Sequence, residues 1–292
     1  MASKWNVEGK RCLVTGATSG IGEATAIGLA KAGAHVTLVA RNAAKAEETR
    51  ERLLIEAPEV PAEIILCDFA SFASIRSAAE EILTRYPRID CLINNAGVFV
   101  LDRQETQDGI ESTFGVNHLG YFLFTRLLLP RLLTSAPARI VNVASHAHKF
   151  VSFDVENLQP FENFSGISAY GASKACNILF TGELARRIAG TGVTANSLHP
   201  GGVSTGLGSN NTSWLANLIR PVAMFVLKTP AKGARTSLHL AMADSLSDTS
   251  GLYFANRRIS KPKAFAKDPE TARRLWEISE ELCGLEPFSL PD

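Results

Sequence analysis

Short apolar runs rich in β-branched residues alternate along this chain with longer segments of helical length. The runs lie at residues 11–15, 34–40, 63–67, 89–94, 139–145, 193–198 and 251–255, and the helix-length segments at 20–32, 43–57, 71–86, 108–134, 168–190, 231–244 and 268–283. Most runs are apolar almost throughout, which is typical of parallel strands covered on both faces. The alternation predicts a doubly wound α/β fold, with a parallel sheet of about seven strands and helices on both faces.

The composition indicates one globular unit. The chain has 292 residues, of which 46% are hydrophobic and 20% are charged, and its formal net charge is +1. These values are ordinary for a soluble protein, and the charge provides no basic surface for nucleic acid. Because no linker rich in Pro, Gly or Ser divides the chain, we predict a single domain over residues 1–292. The least regular stretch, about 203–230, is expected to form a substrate lid.

Membrane spans, secretion and metal binding are not expected. The chain starts without a signal-peptide pattern, and no stretch reaches the ~20 uninterrupted apolar residues of a spanning helix. The five cysteines form neither a metal-like cluster nor an even framework. His146 and His148 form a His-x-His pair, but no acidic or cysteine residue stands near them to complete a metal site. A reducing, cytoplasmic location is the expectation that follows.

A glycine-rich turn joins the first predicted strand to the first predicted helix. The stretch "TGATSGIG" (15–22) contains Gly16, Gly20 and Gly22. Glycines let the backbone turn sharply and approach a pyrophosphate, and unpaired N–H groups at the helix N-terminus attract its charge. A glycine turn alone is also compatible with an ordinary tight turn. The strand before it and the helix after it favour a dinucleotide-binding turn.

The end of the second predicted strand bears on which dinucleotide binds. An NAD-binding chain usually places Asp or Glu there to bind the ribose 2′-hydroxyl, whereas this chain has Arg41. A guanidinium suits a 2′-phosphate, so we predict NADP(H) as the cofactor. The alternative is that Arg41 merely starts the next helix in solvent. Asp68, after the third strand, is placed either to cap the next helix or to bind the adenine amino group.

The stretch "YGASK" (170–174) places a phenol one helical turn before an ammonium. Residues four apart share a face of a helix, so Tyr170 and Lys174 are expected to lie side by side. A free phenol has a pKa of about 10, and an adjacent ammonium lowers that pKa. We therefore predict Tyr170 as an acid/base and Lys174 as the group that lowers its pKa. By itself, such a pair is also typical of an exposed helix surface.

Ser145 follows the fifth predicted strand, at the sheet edge where ligands bind in open α/β folds. Its hydroxyl is placed to orient a substrate oxygen and to stabilise negative charge that develops there. Together with the glycine turn and "YGASK", the chain contains "NNAG" (94–97), "FGVNHLG" (114–120), "NVASH" (142–146) and "HPGGVST" (199–205). In content and order these motifs resemble the short-chain dehydrogenase/reductase family.

The resemblance implies a Rossmann-type domain and hydride transfer between a nicotinamide and an alcohol or carbonyl carbon. It implies a catalytic set of Asn117, Ser145, Tyr170 and Lys174, in which Asn117 holds a water relay and Lys174 also binds the nicotinamide ribose. With Arg41, Asp68, Tyr170 and Lys174, the cofactor-binding residues expected from the matching motifs are Gly16, Thr18, Ser19, Gly20, Ile21, Gly22, Phe69, Asn94, Ala96, Gly97, Pro200, Gly201, Val203 and Thr205.

A lengthened segment separates Ser145 from Tyr170. This insertion, about 146–168, and "TQDGIESTFGVNHLGYFLFT" (106–125) look most like the retinol-dehydrogenase-like branch of the family, which often acts on lipophilic carbonyls. The aromatic residues of the insertion and of the lid either enclose an apolar substrate or pack against each other. The candidate substrate residues are Phe150, Phe153, Phe161, Trp214, Leu218 and Phe225.

The expected function is an NADP(H)-dependent oxidoreductase that interconverts a lipophilic or aromatic carbonyl and its alcohol. The expected partner is a small lipophilic substrate, and the family suggests a homo-oligomer. Two alternatives stay open: a catalytically idle dinucleotide-binding regulatory protein, and a retinol or steroid dehydrogenase that acts oxidatively. An epimerase or dehydratase would usually need a longer C-terminal region than the chain has after "HPGG".

Overall fold

The computed structural model describes residues 5–160, 162–201 and 229–290. Within these ranges the strands are β1 (Arg11–Thr15), β2 (His35–Ala40), β3 (Ala62–Leu66), β4 (Cys91–Asn94), β5 (Ala138–Val143), β6 (Val193–His199), β7 (Tyr253–Ala255) and β8 (Arg258–Ile259). They form one sheet in the order β3-β2-β1-β4-β5-β6-β7-β8, in which β1 to β7 are parallel and β8 is antiparallel to β7. The predicted doubly wound parallel sheet is confirmed.

The helices lie on both faces of this sheet. They are α1 (Gly20–Lys31), α2 (Ala43–Glu56), α3 (Phe72–Arg85), α4 (Ser112–Phe114), α5 (Gly120–Thr134), α6 (Gly166–Arg187), α7 (Pro230–Met242) and α8 (Pro269–Cys283). A π-helical turn at Gly115–Leu119 joins α4 to α5, and short 3₁₀ helices lie at His146–Phe150, Asp244–Leu246 and Ala264–Lys267.

Alternate residues of the strands enter two separate hydrophobic cores. On β1, Leu13 contributes to one core, whereas Cys12 and Val14 contribute to the other. Helices α3, α5, α6 and α8 complete the first core, and α1, α2 and α7 complete the second. Because both faces of the sheet are covered, both sets of strand residues are apolar, which explains the lack of polar alternation in the sequence.

The helical segment that leads into α5 begins later than the sequence predicted. Gly109 has a φ of 75°, which is incompatible with a right-handed helix. The buried Glu111 carboxylate then accepts hydrogen bonds from the N–H groups of Thr113 (2.8 Å) and Phe114 (2.7 Å). A first helical turn leaves such N–H groups without intrahelical partners, so Glu111 caps the helix and determines where it starts.

The sheet has one more strand than predicted, at its edge. A two-residue turn reverses the chain after β7, with φ of 50° at Asn256 and 63° at Arg257. Two consecutive residues with positive φ are typical of the tight turn of a β-hairpin. The pairing of Phe254 with Ile259 produces the short strand β8. The sequence "ANRRI" lacks the glycine that usually marks such a turn, so the hairpin was missed.

Candidate active site

A cavity of about 620 Å³ opens at the carboxyl ends of the strands, where the strand order reverses between β1 and β4. Ligands of open α/β sheets bind in such a crevice. Predicted site residues that line it are Gly16, Thr18, Ser19, Ile21, Gly22, Arg41, Asp68, Phe69, Ala96, Gly97, Ser145, Tyr170, Lys174, Pro200 and Gly201. The fold therefore brings together motifs that are spread over most of the chain.

The turn after β1 has no room for side chains where it passes β4. Gly16 and Gly20 have φ of 63° and 56°, a region that favours glycine. A Cβ on Gly22 would lie 2.2 Å from the Gly16 carbonyl oxygen, and one on Gly16 would lie 2.7 Å from the Cα of Ala96. Ser19 precedes α1 without a side-chain capping bond, which leaves the first N–H groups of the helix to other partners. This cradle fits a pyrophosphate.

Asn95, rather than the predicted Asn94, lies in the cavity wall. Its Nδ2 donates to the carbonyl oxygen of Thr15 (3.0 Å), and its N–H donates to Thr15 Oγ1 (2.9 Å). The side chain of Asn94 is fully buried in the sheet, where it donates to Thr125 Oγ1 (2.9 Å) and Asn142 Oδ1 (2.8 Å). Asn94 was predicted to bind the cofactor; its side chain faces away from the cavity, because successive strand residues face opposite ways.

Two cations lie together beyond the end of β2. Arg41 follows the strand and Lys45 lies in the first turn of α2; both are exposed residues at the cavity. Asn42 caps α2 by accepting the N–H of Lys45 (3.0 Å), which brings that residue back towards the strand. In the part of the chain that the structure describes, neither cation forms an ion pair. Sequence reasoning missed Lys45, although its place one turn after Arg41 was a usable signal.

Asp68 lies in the cavity wall after β3, but it does not cap α3. Ser71 takes that role, because its side chain accepts the N–H of Ser74 (3.3 Å). Of the two roles predicted for Asp68, the position in the wall is compatible with the adenine contact. The next residue, Phe69, packs edge-on against Phe124 with ring centroids 5.5 Å apart.

Ser145, Tyr170 and Lys174 meet in the cavity wall. Ser145 lies just past β5, where its Oγ accepts the N–H of Ala147 (3.2 Å) at the start of a 3₁₀ helix. Tyr170 and Lys174 lie one turn apart near the start of α6, and the Ser145 side chain lies close enough to the Tyr170 hydroxyl to lower the pKa of the phenol. The insertion between Ser145 and α6 thus leaves and returns at the same edge of the sheet.

Burial governs the protonation of both titratable groups. Lys174 is 3% exposed, and burial lowers its pKa to about 7. Its Nζ donates to the Val143 carbonyl oxygen (3.3 Å) and lies 5.7 Å from the centroid of the Tyr170 ring. Burial raises the pKa of Tyr170, and the nearby Ser145 side chain opposes that rise. The prediction of a lowered pKa for Tyr170 is therefore wrong, because the loss of phenolate hydration on burial outweighs the effect of the Ser145 side chain.

Asn117 lies in the π-helical turn Gly115–Leu119, close behind the cavity wall. π-helical turns within longer helices are frequent at functional sites. Asn117 Oδ1 accepts the N–H of Val98 (2.7 Å), and Nδ2 donates to the carbonyl oxygen of Val98 (3.0 Å) and to Ser173 Oγ (3.1 Å). Asn117 thereby ties the segment after β4 to the helix that carries Tyr170. The water relay expected of Asn117 stays a prediction.

Two of the predicted substrate residues lie within the described ranges, and both lie away from the cavity lining. Phe150 is 78% exposed and contacts His146, whereas Phe153 stacks on Phe265 with ring centroids 5.1 Å apart. Of the two predicted alternatives for these aromatic residues, substrate enclosure and packing against each other, packing therefore applies to Phe153. Four predicted substrate residues and two predicted cofactor residues lie outside the described residues: Phe161, Trp214, Leu218, Phe225, Val203 and Thr205.

An aromatic side chain that the sequence analysis missed lies beside Tyr170. The rings of Phe99 and Tyr170 meet edge to face, with centroids 5.4 Å apart and an interplanar angle of 71°. Phe99 follows the "NNAG" motif, and a segment that leaves β4 must emerge at the same sheet edge as Ser145. Phe99 thus provides an apolar surface next to the phenol ring of Tyr170.

Metal and membrane features are absent from the described ranges. No three side chains of His, Cys, Asp or Glu in residues 5–160, 162–201 and 229–290 are grouped to hold a metal ion. The helices described in these ranges are too short or too polar to cross a bilayer.

Comparison with known proteins identifies the family and the relatives of this chain. Residues 10–216 match the family described as short chain dehydrogenase. Human retinol dehydrogenase 14 is 42% identical over 296 residues, covering 96% of this chain and 88% of that protein. Human retinol dehydrogenase 13 is 41% identical over 294 residues, covering 99% of this chain and 88% of that protein.

Solved structures show the same fold. An uncharacterized protein from Mycobacterium paratuberculosis superposes with a TM-score of 0.77 at 31% identity, with 98% of each chain covered. A protein from Beutenbergia cavernae, described as an NAD(P) dependent gluconate 5-dehydrogenase with bound NADP, has a TM-score of 0.70 at 27% identity. The match covers 87% of this chain and 97% of that chain. Fold, motifs and relatives agree that this chain belongs to the short-chain dehydrogenase/reductase family, in its retinol-dehydrogenase-like branch.

Proposed function

We propose that this protein is an NADP(H)-dependent oxidoreductase that interconverts a lipophilic or aromatic carbonyl compound and its alcohol. The observation that carries the proposal is that Ser145, Tyr170 and Lys174 share one cavity with the glycine turn and with Arg41. The retinol dehydrogenase relatives favour an apolar substrate, and the NADP in the Beutenbergia cavernae crystal supports the cofactor class.

The cavity residues fit a nicotinamide dinucleotide. The glycine turn and the N-terminus of α1 would hold the pyrophosphate, and Arg41 with Lys45 would hold a 2′-phosphate. Asp68 would bind the adenine amino group, and Lys174 the ribose hydroxyls. When bound, the nicotinamide supplies or accepts the hydride at the substrate carbon.

The chain's own residues handle the proton. In the reductive direction the raised pKa keeps Tyr170 protonated near pH 7, and its hydroxyl gives the proton to the substrate oxygen. The Ser145 hydroxyl orients that oxygen and stabilises the negative charge that develops on it. Since burial lowers the pKa of Lys174 to about 7, both the charged and the neutral form of this side chain are populated near neutral pH. The charged form stabilises the phenolate left on Tyr170.

The substitution Tyr170→Phe tests this assignment. We expect turnover with NADPH and an aromatic ketone to fall by about 10²–10⁴-fold, because the proton donor is lost. The dissociation constant of NADPH, measured by nicotinamide fluorescence, should stay within about twofold, because the ring remains. Unchanged turnover in this variant would refute the mechanism. An inactive wild type that binds NADPH would favour the regulatory dinucleotide-binding alternative.

The names of the relatives favour a second candidate at the same site, oxidation of a retinol or steroid alcohol. The two candidates share Tyr170 and differ in direction and substrate. A panel of aromatic ketones, retinoids and steroids, assayed with NADPH and with NADP⁺ through nicotinamide absorbance, separates them. The same panel is repeated with NADH, and a clear preference for NADH over NADPH would remove the role of Arg41. The cytoplasmic location and the homo-oligomer remain predictions.

A further inference from the structure

His148 connects the segment that carries Ser145 to a loop near the C-terminus. Its Nδ1 lies 2.6 Å from the Ser145 carbonyl oxygen, and its Nε2 lies 3.3 Å from the backbone nitrogen of Lys263. The imidazole is fully buried, and its ring meets that of Tyr253 edge to face with centroids 5.3 Å apart. A buried ring with both nitrogens engaged cannot rotate without losing two hydrogen bonds.

The two partners determine which nitrogen of His148 carries the proton. A carbonyl oxygen only accepts, so the nitrogen facing Ser145 must carry a hydrogen. A backbone N–H only donates, so the nitrogen facing Lys263 must be bare. The ring is therefore neutral with its hydrogen on Nδ1, which is the less common tautomer of free histidine. A hydrogen on Nε2 would set two donors against each other at the Lys263 amide.

A second hydrogen bond from Lys263 reinforces the contact between the C-terminal loop and the segment that carries His148. Lys263 Nζ donates to the carbonyl oxygen of Val151 (2.9 Å), so one residue of the C-terminal loop holds both His148 and the end of the 3₁₀ helix. At the other end of that helix, Ser145 Oγ accepts the N–H of Ala147 (3.2 Å). The orientation of the Ser145 side chain therefore depends on a short helix anchored from outside the insertion.

We propose that His148 is a positioning residue for the catalytic serine. Its Nδ1–H fixes the Ser145 carbonyl, and the Lys263 amide holds the ring in that orientation, so that the Ser145 hydroxyl keeps its place in the cavity wall it shares with Tyr170. The inference rests on the proposed function, because it takes Ser145 and Tyr170 as the groups that act on the substrate. It makes the loop around Lys263 part of the organisation of the active site.

Two substitutions of the ring separate its hydrogen bonds. H148A removes both bonds, whereas H148N keeps a side-chain N–H that reaches the Ser145 carbonyl and loses the bond to Lys263. We expect kcat to fall roughly tenfold in H148A, with the NADPH dissociation constant within about twofold, because a misplaced catalytic group slows chemistry more than cofactor binding. H148N should restore kcat to within about threefold of wild type. Equal losses in H148A and H148N, or no loss in H148A, would overturn the proposal.

The partner amide is tested at Lys263 with a matched pair of variants. Lys263 has a φ of −62°, which proline adopts without strain, so K263P removes the backbone N–H while keeping the backbone conformation. K263A removes only the ammonium that bonds Val151. We expect kcat of K263P to lie about threefold below that of K263A, measured at a temperature where both variants are folded. Equal kcat values in the two variants would contradict the role of the amide.

A readout independent of activity comes from the ring nitrogens of ¹⁵N-labelled protein. Long-range ¹H–¹⁵N spectra, with His148 assigned by its absence from H148N, should show a neutral ring protonated on Nδ1 at neutral pH. A ring protonated on Nε2, or on both nitrogens, would overturn the proposal. The proposed function and the positioning role can be refuted separately. A wild type without turnover refutes the proposed function. An active wild type, together with an H148A variant of the same kcat, refutes only the positioning role.

Discussion

The burial of Lys174 affects both the stability of the folded protein and the chemistry proposed for the site. It is fully buried, and the loss of hydration lowers its pKa to about 7, whereas a lysine in an unfolded chain has a pKa of about 10.4. Between these two values the unfolded chain holds a proton that the folded protein has released. The free energy of unfolding therefore rises with pH across this window, and the cost of the buried charge is fully present below about pH 7.

Replacing Lys174 by Met should remove that cost. We expect K174M to be more stable than wild type by roughly 2 kcal/mol below pH 7, and the advantage to shrink as pH rises towards 10. Urea unfolding at several pH values measures it, and the difference between the two proteins cancels other titrating groups. An advantage that is constant over this range would show that Lys174 does not titrate as its burial indicates.

Arg41 and Lys45 are the residues on which discrimination between the two dinucleotides depends. We expect R41A and K45A each to raise the dissociation constant of NADPH about tenfold and to change that of NADH little, because each removes one charge-assisted contact with the 2′-phosphate. Fluorescence titrations with both dinucleotides measure this. K31A is the control, since Lys31 pairs with Glu56 on α1 and α2 away from the cavity lining. Equal losses for NADPH and NADH would refute the assignment.

At the scale of elements, the start of α4 positions the π-helical turn that contains Asn117. The cap is a buried carboxylate, Glu111, and its own N–H donates to Gln159 Oε1 (3.0 Å) from the insertion. The sequence "DGIES" contains this glutamate, but its capping role depends on burial. The position of Asn117 relative to Val98 and α6 therefore depends on the residue at which α4 begins. Local helix propensity does not determine that residue.

Substitutions of Glu111 test that boundary. E111A leaves two buried N–H groups without acceptors, and we expect it to lower the free energy of unfolding by about 2 kcal/mol. E111Q keeps one acceptor oxygen and should lose about half as much. Denaturant unfolding with a fixed m-value measures both. If E111Q were as destabilised as E111A, the cap would require the charge and not merely an acceptor.

At the scale of the whole molecule, the C-terminal helix α8 completes one of the two cores. Trp276 is buried there against Phe122 and Phe180, and a largely buried ion pair between Arg126 and Glu280 joins α5 to α8. A buried pair is costly to break from one side, because the remaining charge keeps its desolvation penalty without compensation. The docking of α8 thus depends on both partners together.

A double-mutant cycle on this pair tests the docking. We expect R126M to lower the free energy of unfolding by about 3 kcal/mol, because it leaves Glu280 buried and unpaired. The double variant R126M/E280M should recover most of that loss, since it buries apolar groups of similar size. If the losses of unfolding free energy in R126M and E280M simply added up in the double variant, the two residues would stabilise the fold through separate contacts.

Much of this architecture could be predicted because its signals are local. The apolar runs that face two cores, the glycines whose Cβ atoms would collide at Gly16 and Gly22, and the helical spacing of Tyr170 and Lys174 are all properties of short stretches. The turn at Asn256 was missed because residues other than glycine adopt positive φ there.

The amino-acid sequence by itself determined the winding of the sheet, the glycine turn and the residues that meet at its carboxyl edge, since periodicity and backbone sterics act within a few residues. Only the tertiary structure decided that Asn95 rather than Asn94 lies in the cavity wall and that the pKa of Tyr170 rises. It also decided that His148 reaches Lys263. Burial and long-range contacts decide these outcomes, because hydration and hydrogen-bond partners depend on segments that are distant in the chain.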